Sequence, residues 1–389
     1  MVEQGHEVYV LCSRRAYDGG RRYLEESRED GVSVLRLAST GFGRRGFLGK
    51  VADYATFGLS LARGLAQFRP RPDLILSLTT PPYLGLAARL AAKNFRCRHA
   101  HWVMDLYPDV LCAHGMLRKG GVVCSTLERL TRLQFCDAAA VIALGAVMAE
   151  RVGCYGVHRP VAPTGKATEA RTHGATWVSA VPLWSFDDLQ GWPHRQPNPL
   201  RAERCWREDE LVVQYSGNMG LGHRMGEFLI AAERLGSSGP RWVFAGGGKR
   251  RAEVERFRES HPAARIELLD YVPAEILNAH LCAADVHLAS LDSGWQGAMV
   301  PSKLQASFAV GRPVLFVGGR DNETAKWIEE SGGGWIVGEN DVDGLMRAIQ
   351  QARNPAERFQ RGEAAQAFAR AHFDRTTNCR QLVRLLTQV

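Results

Sequence analysis

The chain has 389 residues, 45% hydrophobic and 23% charged, which excludes a disordered protein and leaves room for two cores. Its net charge of +8 calls for an acidic partner such as a phosphorylated ligand or an anionic membrane surface. No basic and aromatic interleaving supports nucleic acid, and no apolar run reaches the ~20 residues of a membrane span.

His6 to Cys12 opens the chain as a predicted strand, and Val32 to Leu37 is the next. Met1–His6 is polar, unlike a secretory signal. Phe47 to Leu65 reads as an amphipathic helix flanked by Arg44, Arg45, Lys50, Arg63, Arg69 and Arg71. With the rest of the segment from Gly43 to Arg71 it could equally lie on anionic lipid or be a solvated surface helix. Asp73 to Leu78 is nearly all apolar, as a parallel strand buried on both faces should be. Pro81-Pro82 stops it, and a helix follows over Leu84 to Lys93. His99 to Met104 is a strand that ends in Asp105-Leu106-Tyr107-Pro108-Asp109; Leu127 to Phe135 is a helix and Ala138 to Leu144 a strand. Strands alternating with helices at this spacing predict an α/β fold with a doubly wound parallel sheet.

Between Val157 and Glu208 the rhythm breaks into a linker rich in Pro, Gly and Trp (Pro160, Pro163, Gly165, Gln190 to Pro193, Pro197 to Pro199). One more strand is expected near Trp177 to Leu183. The rhythm then resumes, with strands at Leu211–Tyr215, Trp242–Ala245, Ile266–Leu269, Val286–Leu288, Val314–Val317 and Trp335–Val337. Helices are expected at Met225–Leu235, Ala252–Glu259, Ala274–Ala283, Leu304–Ala309, Glu323–Ser331 and Val342–Arg353, and from Ala364 to the end. The division is therefore 1–195, 196–370 and a terminal helix over 371–389 that packs back toward the first domain. Nine scattered cysteines, with no CxxC pair and no zinc spacing, read as reduced thiols.

Four places at the ends of strands in the second half could carry chemistry, because open α/β sheets bind ligands there. Tyr215-Ser216-Gly217-Asn218-Met219-Gly220 is a strand running into a glycine turn, which reads either as a plain turn or as a phosphate cradle of outward N–H groups. Gly246-Gly247-Gly248 follows the next strand and lets backbone approach a ligand. Leu268-Leu269-Asp270-Tyr271-Val272-Pro273 is a strand end and turn that reads equally as an edge loop or as a wall facing a base. Val300-Pro301-Ser302-Lys303 suits a helix start, and a lysine in the first turn opposes the helix dipole unless an anion binds there. Arg224 is a second cation. Asp341-Val342-Asp343 is formally a DxD but opens a helix and reads as a cap.

These stretches, in this order, resemble the donor domain of GT-B glycosyltransferases, and are most similar to glycosyltransferase family 4 and its polysaccharide-assembly branch. Gly5-His6-Glu7-Val8, Trp102 to Asp109 and Gly311-Arg312-Pro313-Val314 extend the resemblance over nearly the whole chain. It implies two Rossmann-like domains facing each other across a cleft. It implies a retaining hexosyltransferase-type enzyme that uses a nucleotide-sugar donor, usually a UDP-sugar, and a lipid-linked or polysaccharide acceptor in cell-envelope or exopolysaccharide assembly. No metal or other cofactor is expected. The location implied is cytoplasmic, peripheral on the inner face of the membrane.

The donor residues implied are Gly217, Asn218, Met219, Gly220, Arg224, Gly246, Gly247, Tyr271, Val272, Pro301, Ser302 and Lys303. On the acceptor side Asp105, just past a strand, is the first candidate to orient or deprotonate a hydroxyl, and His101 the second, although a histidine alternating within a strand reads more readily as a packed core residue. Two departures stand out. The family commonly has a Glu three residues after its lysine and another eight residues before that; Ala306 and Ala298 occupy these positions. The chain also starts where the family's first helix ends, so its first strand and glycine loop are expected to be missing. A nucleotide-sugar 2-epimerase and a degenerate binding protein are the competing readings.

Overall fold

The computed structural model describes residues 1–15, 22–42, 47–157, 176–186, 189–191 and 197–388. Arg44 and Arg45 of the basic segment lie outside them, as do Pro160, Pro163, Gly165, Trp192 and Pro193 of the linker.

The N-terminal half runs β1 (Tyr9–Ser13), β2 (Glu26–Glu29), β3 (Val32–Leu37), α1 (Phe47–Gln67), β4 (Leu74–Leu78), α2 (Leu84–Phe95), β5 (Arg98–Trp102), α3 (Asp109–Ala113), α4 (Val122–Phe135), β6 (Ala140–Ala143), α5 (Ala146–Gly153) and β7 (Val178–Ala180). β7 is the extra strand expected near Trp177. The single parallel sheet expected here is instead two sheets, ordered β1-β3-β2 and β4-β5-β6-β7. β2 runs antiparallel to β3, and its Glu-Ser-Arg-Glu sequence has no apolar side to announce a strand. β1 and β4 are each the end of their sheet, with no described strand between them. Tyr9 and Val10 on β1, and Leu76 and Leu78 on β4, are exposed in consequence. Leu11 still packs with Leu84 and Ala87 of α2 in one small apolar cluster. These two edges keep open backbone groups that could pair with another strand.

A short α6 (Pro199–Glu203), capped by Asn198, leads into the second half: β8 (Val212–Ser216), α7 (Gly226–Leu235), β9 (Arg241–Ala245), α8 (Arg251–Ser260), β10 (Ile266–Leu269), α9 (Ala274–Ala283), β11 (Val286–Leu291), α10 (Lys303–Ala309), β12 (Val314–Gly318), α11 (Glu323–Ser331), β13 (Gly334–Val337), α12 (Val342–Ala352), α13 (Pro355–His372) and α14 (Arg375–Thr387). All six strands lie in one parallel sheet, ordered β10-β9-β8-β11-β12-β13. The order reverses between β8 and β11, which is where such sheets open a crevice at the strands' C-terminal ends. Val212, Val213, Tyr215, Trp242, Phe244 and Phe316 are fully buried and build the sheet's two faces. Asp341 caps α12 by accepting from the Gly344 N–H, so the DxD is a helix cap. The continuous terminal helix expected from Ala364 is divided: α13 stops at His372, and Asp374 caps α14.

The halves are in contact. Leu382 and Leu386 of α14 enter the N-terminal core, and the Asn378 amide donates to the Pro182 carbonyl. The Leu106 N–H donates to the Ala298 carbonyl at 2.8 Å. Buried Glu323 of α11 accepts from the Ala146 and Val147 N–H groups at 2.9 and 2.8 Å, capping α5 from the other domain. Replacing Glu323 by Ala would leave two buried donors unpaired. The denaturation midpoint is expected to fall by the equivalent of about 2 kcal/mol, and an unchanged midpoint would contradict this account of the contact. No helix among the described residues is long and apolar enough to cross a membrane.

Candidate functional site

At the reversal point lies a cavity of about 390 Å³. Its walls come from the end of β8 (Ser216, Gly217, Asn218), the end of β9 (Gly246), the loop after β10 (Tyr271, Val272) and the entry to α10 (Pro301, Ser302, Lys303). The structure therefore brings together segments far apart in sequence that were singled out separately.

The two glycine turns form one unit. The Gly217 N–H donates to the Ala245 carbonyl and the Met219 N–H to the Gly247 carbonyl. Gly246 has φ +117°, and a Cβ there would stand 2.3 Å from the Gly217 carbonyl oxygen, so only glycine fits. Gly247 packs the Tyr271 ring, which a Cβ there would meet at 2.9 Å. This arrangement corrects the expectation of a cradle formed by the whole turn, because two of its N–H groups are already used inside the protein. Met219 is a fully buried core residue rather than a wall of the cavity. Gly220 does not line the cavity either.

Lys303 is the first residue of α10, with Ser302 at the cap position. Its Nζ lies 3.2 Å from His223 Nε2, 3.4 Å from the Asn218 carbonyl and 4.8 Å from the centre of the Tyr215 ring. No Asp or Glu lines the cavity among the described residues. With no carboxylate beside it, burial pushes the Lys303 pKa down to about 7. His223 was not predicted. Its Nδ1 faces the Ser290 carbonyl at 2.6 Å, so Nδ1 carries the proton and Nε2 is left as an acceptor aimed at Lys303. Burial first, then the Lys303 charge, holds its pKa down to about 3, so the ring stays neutral. His223 follows directly on Gly220-Leu221-Gly222, but its partner lies 80 residues away, and that pairing has no local signal.

Two further candidates fall elsewhere. Arg224 is tied to Glu227, Asp292, Glu339 and Asn340, and its guanidinium serves that network rather than the cavity. His101 is buried in the N-terminal core, with Nδ1 2.7 Å from the Ser77 hydroxyl and its ring tilted on Phe135. Burial presses its pKa down to about 3, so it is a packed neutral histidine and not a group of the cleft. Asp105 does reach the junction. It forms a β-bridge across the junction with Met299, which together with Val300 lines the cavity. Its carboxyl has no hydrogen-bond partner among the described residues, and burial raises its pKa. Ala306 lines the cavity and Ala298 is buried beside the bridge, so neither of the family's ribose carboxylates has a counterpart here.

Residues 1–165 match the family described as glycosyl transferase 4-like domain, and residues 210–354 match glycosyl transferases group 1. The chain is a GT-B glycosyltransferase of the family 4 type. It is 27% identical to the probable glycosyltransferase WbjE of Pseudomonas aeruginosa over 75% of this chain and 72% of that one. It is 24% identical to the putative colanic acid biosynthesis glycosyl transferase WcaI of Escherichia coli, over 90% and 85% of the two chains. Among solved structures, the fold matches sucrose-phosphate synthase from Thermosynechococcus elongatus with a TM-score of 0.75 at 16% identity, covering 100% of this chain and 90% of that one. It matches Anabaena HepE in complex with UDP-glucose with a TM-score of 0.66 at 14% identity, covering 92% and 87%. The two-domain α/β fold expected from the sequence is thus the fold of this glycosyltransferase, and the cavity occupies its switch point.

Proposed function

We propose that this glycosyltransferase moves a sugar, with retention at the anomeric carbon, from a UDP-sugar to a lipid-linked saccharide in polysaccharide assembly, without a metal ion. The observation that carries the reading is Lys303: a lone cation with a depressed pKa, at the switch point, in a cavity with no carboxylate. A departing diphosphate would restore its proton and be stabilised as its charge develops. The α10 N-terminus adds a weaker attraction of the same sign. Asp105, bridged at the seam to Met299 of the cavity wall, is the group proposed to orient the acceptor hydroxyl and take its proton. The HepE complexes with UDP and UDP-glucose support the donor class, and the name of WcaI supports the pathway class.

Contact with an anionic membrane is part of the proposal. Leu48, Val51, Ala55, Leu59, Ala62 and Ala66 form an exposed apolar stripe along α1, with Lys50 and Arg63 beside it. Such a stripe can enter the headgroup layer while the cations meet lipid phosphates. An epimerase would need carboxylates in the cavity, and none lines it among the described residues.

The test is nucleotide release from a panel of UDP-sugars, with and without a polyprenyl-linked saccharide and with EDTA present. Acceptor-dependent release that survives EDTA supports the proposal. Donor binding without any turnover would favour a non-catalytic binding protein.

The Lys303 pKa gives a second prediction. The bound diphosphate needs the protonated amine, and a pKa lowered to about 7 means that the free site loses its proton as pH rises through 7. UDP-glucose has no phosphate group titrating between pH 6 and 9, so the amine alone should set the profile. Affinity is expected to be highest below pH 7 and to fall by at most about tenfold per unit above it. In Lys303→Arg the profile should be flat. A flat profile in the unaltered protein would contradict the assignment.

A further inference from the structure

A second cavity, of about 780 Å³, lies at the opposite end of the donor-domain sheet. Its walls come from positions just before the strands begin: Asp285 ahead of β11, and Gly311 and Arg312 ahead of β12. The donor site lies past the other ends of these strands. Strands of five or six residues separate the two sites by about 17 Å.

Three arginines gather around this cavity, and two of them, Arg201 and Arg358, share one carboxylate, that of Asp285. Arg201 Nη2 lies 3.1 Å from Asp285 Oδ2 and also donates to the Glu210 carbonyl. Arg358 Nε lies 3.9 Å from Asp285 Oδ1, and its Nη1 donates to the Ala352 and Arg353 carbonyls. Arg312 Nη2 donates to the Cys282 carbonyl, and Arg312 has no carboxylate partner among the described residues. The Asp285 carboxylate already takes the Val212 N–H at 2.8 Å. Two positive charges are therefore left over among partly buried groups. Buried Nε atoms of Arg201 and Arg312 have no hydrogen-bond acceptor. Burial, then the nearby Arg312 and Arg201 charges, holds the Arg358 pKa below its ordinary value. Like charges gathered this way cost free energy unless an anion joins them. Glu208 and Glu363 also line the cavity, but both are exposed at its mouth.

Several guanidinium forks around one space suit a dianionic tetrahedral group better than a single carboxylate, because each fork can donate two parallel bonds. The volume is that of a small-molecule site, larger than phosphate alone needs. We propose that this cavity binds a phosphate dianion, free or as a monoester, held by Arg201, Arg312 and Arg358, at a site separate from the sugar-donor site. Its floor is the end of α10, the helix whose first residue is Lys303: Val310 and Gly311 line the cavity. An occupant here therefore touches the far end of the helix that carries the donor-site cation.

The experiment is calorimetric titration of the full chain with inorganic phosphate and with glucose 6-phosphate, each to about 10 mM. Three variants run alongside: Arg312→Gln, Ala202→Glu and Lys303→Ala. Ala202 is an exposed lining residue of α6, so its replacement puts a carboxylate in the cavity without removing a native contact. Binding of either probe that weakens about tenfold or more in Arg312→Gln and Ala202→Glu, but persists in Lys303→Ala, is expected. Tighter binding of the hexose phosphate identifies a phosphorylated metabolite as the source, and equal binding identifies free phosphate. No binding of either probe, or loss in Lys303→Ala alone, overturns the proposal.

Discussion

Replacing Lys303 by Ala should lower sugar transfer by about 100-fold or more while leaving the fold at least as stable. The two halves of this expectation have one cause. The amine sits among the neutral His223 imidazole, the Asn218 carbonyl and the Tyr215 ring, with burial pushing its pKa down to about 7. In the resting protein the charge is therefore a cost to the fold, and removing it costs no stability. During transfer it is the nearest positive charge to the cavity, and no other Lys or Arg lines the cavity among the described residues. The measurement is turnover in parallel with a thermal melt. Activity within threefold of the unaltered protein would contradict the role assigned to this lysine. A large fall in melting temperature would contradict the account of its burial.

Gly246→Ala is expected to cost about 3 kcal/mol or more and to abolish donor binding with it. Its φ of +117° disfavours any side chain, and the new Cβ would meet the Gly217 carbonyl oxygen at 2.3 Å. The atom that the new methyl meets is backbone, so no side chain can move aside. The Gly217 and Gly246 turns would part, and Lys303 would lose the Asn218 carbonyl against which it rests. Gly226 makes the control. It begins α7, and a Cβ there meets nothing within 4 Å, so Gly226→Ala should be neutral or stabilising by about 0.5 kcal/mol. Denaturant midpoints for the two variants separate the local geometry from any general intolerance of the domain. Equal midpoints would contradict it.

The donor domain was readable in the sequence because its parallel strands are short, largely apolar runs, five of the six buried and four of them followed directly by glycine. Ile266–Leu269, Ala274–Ala283 and Glu323–Ser331 fall where the sequence put them. Elements without that contrast escaped. β2 is polar throughout, and α3 and α6 are five residues each, too short for a helical period to register. α5 follows β6 with only Leu144 and Gly145 between, and no element was expected there. At the site, residues next to strand ends were legible because the switch-point rule is local in sequence. Partnerships were not. His101 and His223 are both single histidines near a strand; one is sealed against Phe135 and the other points at Lys303, and only the fold distinguishes them. Arg224 looked like a free cation beside a glycine turn, but Asp292 and Glu339, which claim it, lie 68 and 115 positions further on.

The central claim is that the diphosphate of a nucleotide sugar is held by Lys303 at the reversal of the donor sheet. The most direct test is a crystal structure of the chain soaked with UDP. The account predicts a phosphate oxygen about 3 Å from Lys303 Nζ, with the uracil near Tyr271 and Val272. UDP bound elsewhere, or with its phosphates away from Lys303, would contradict it.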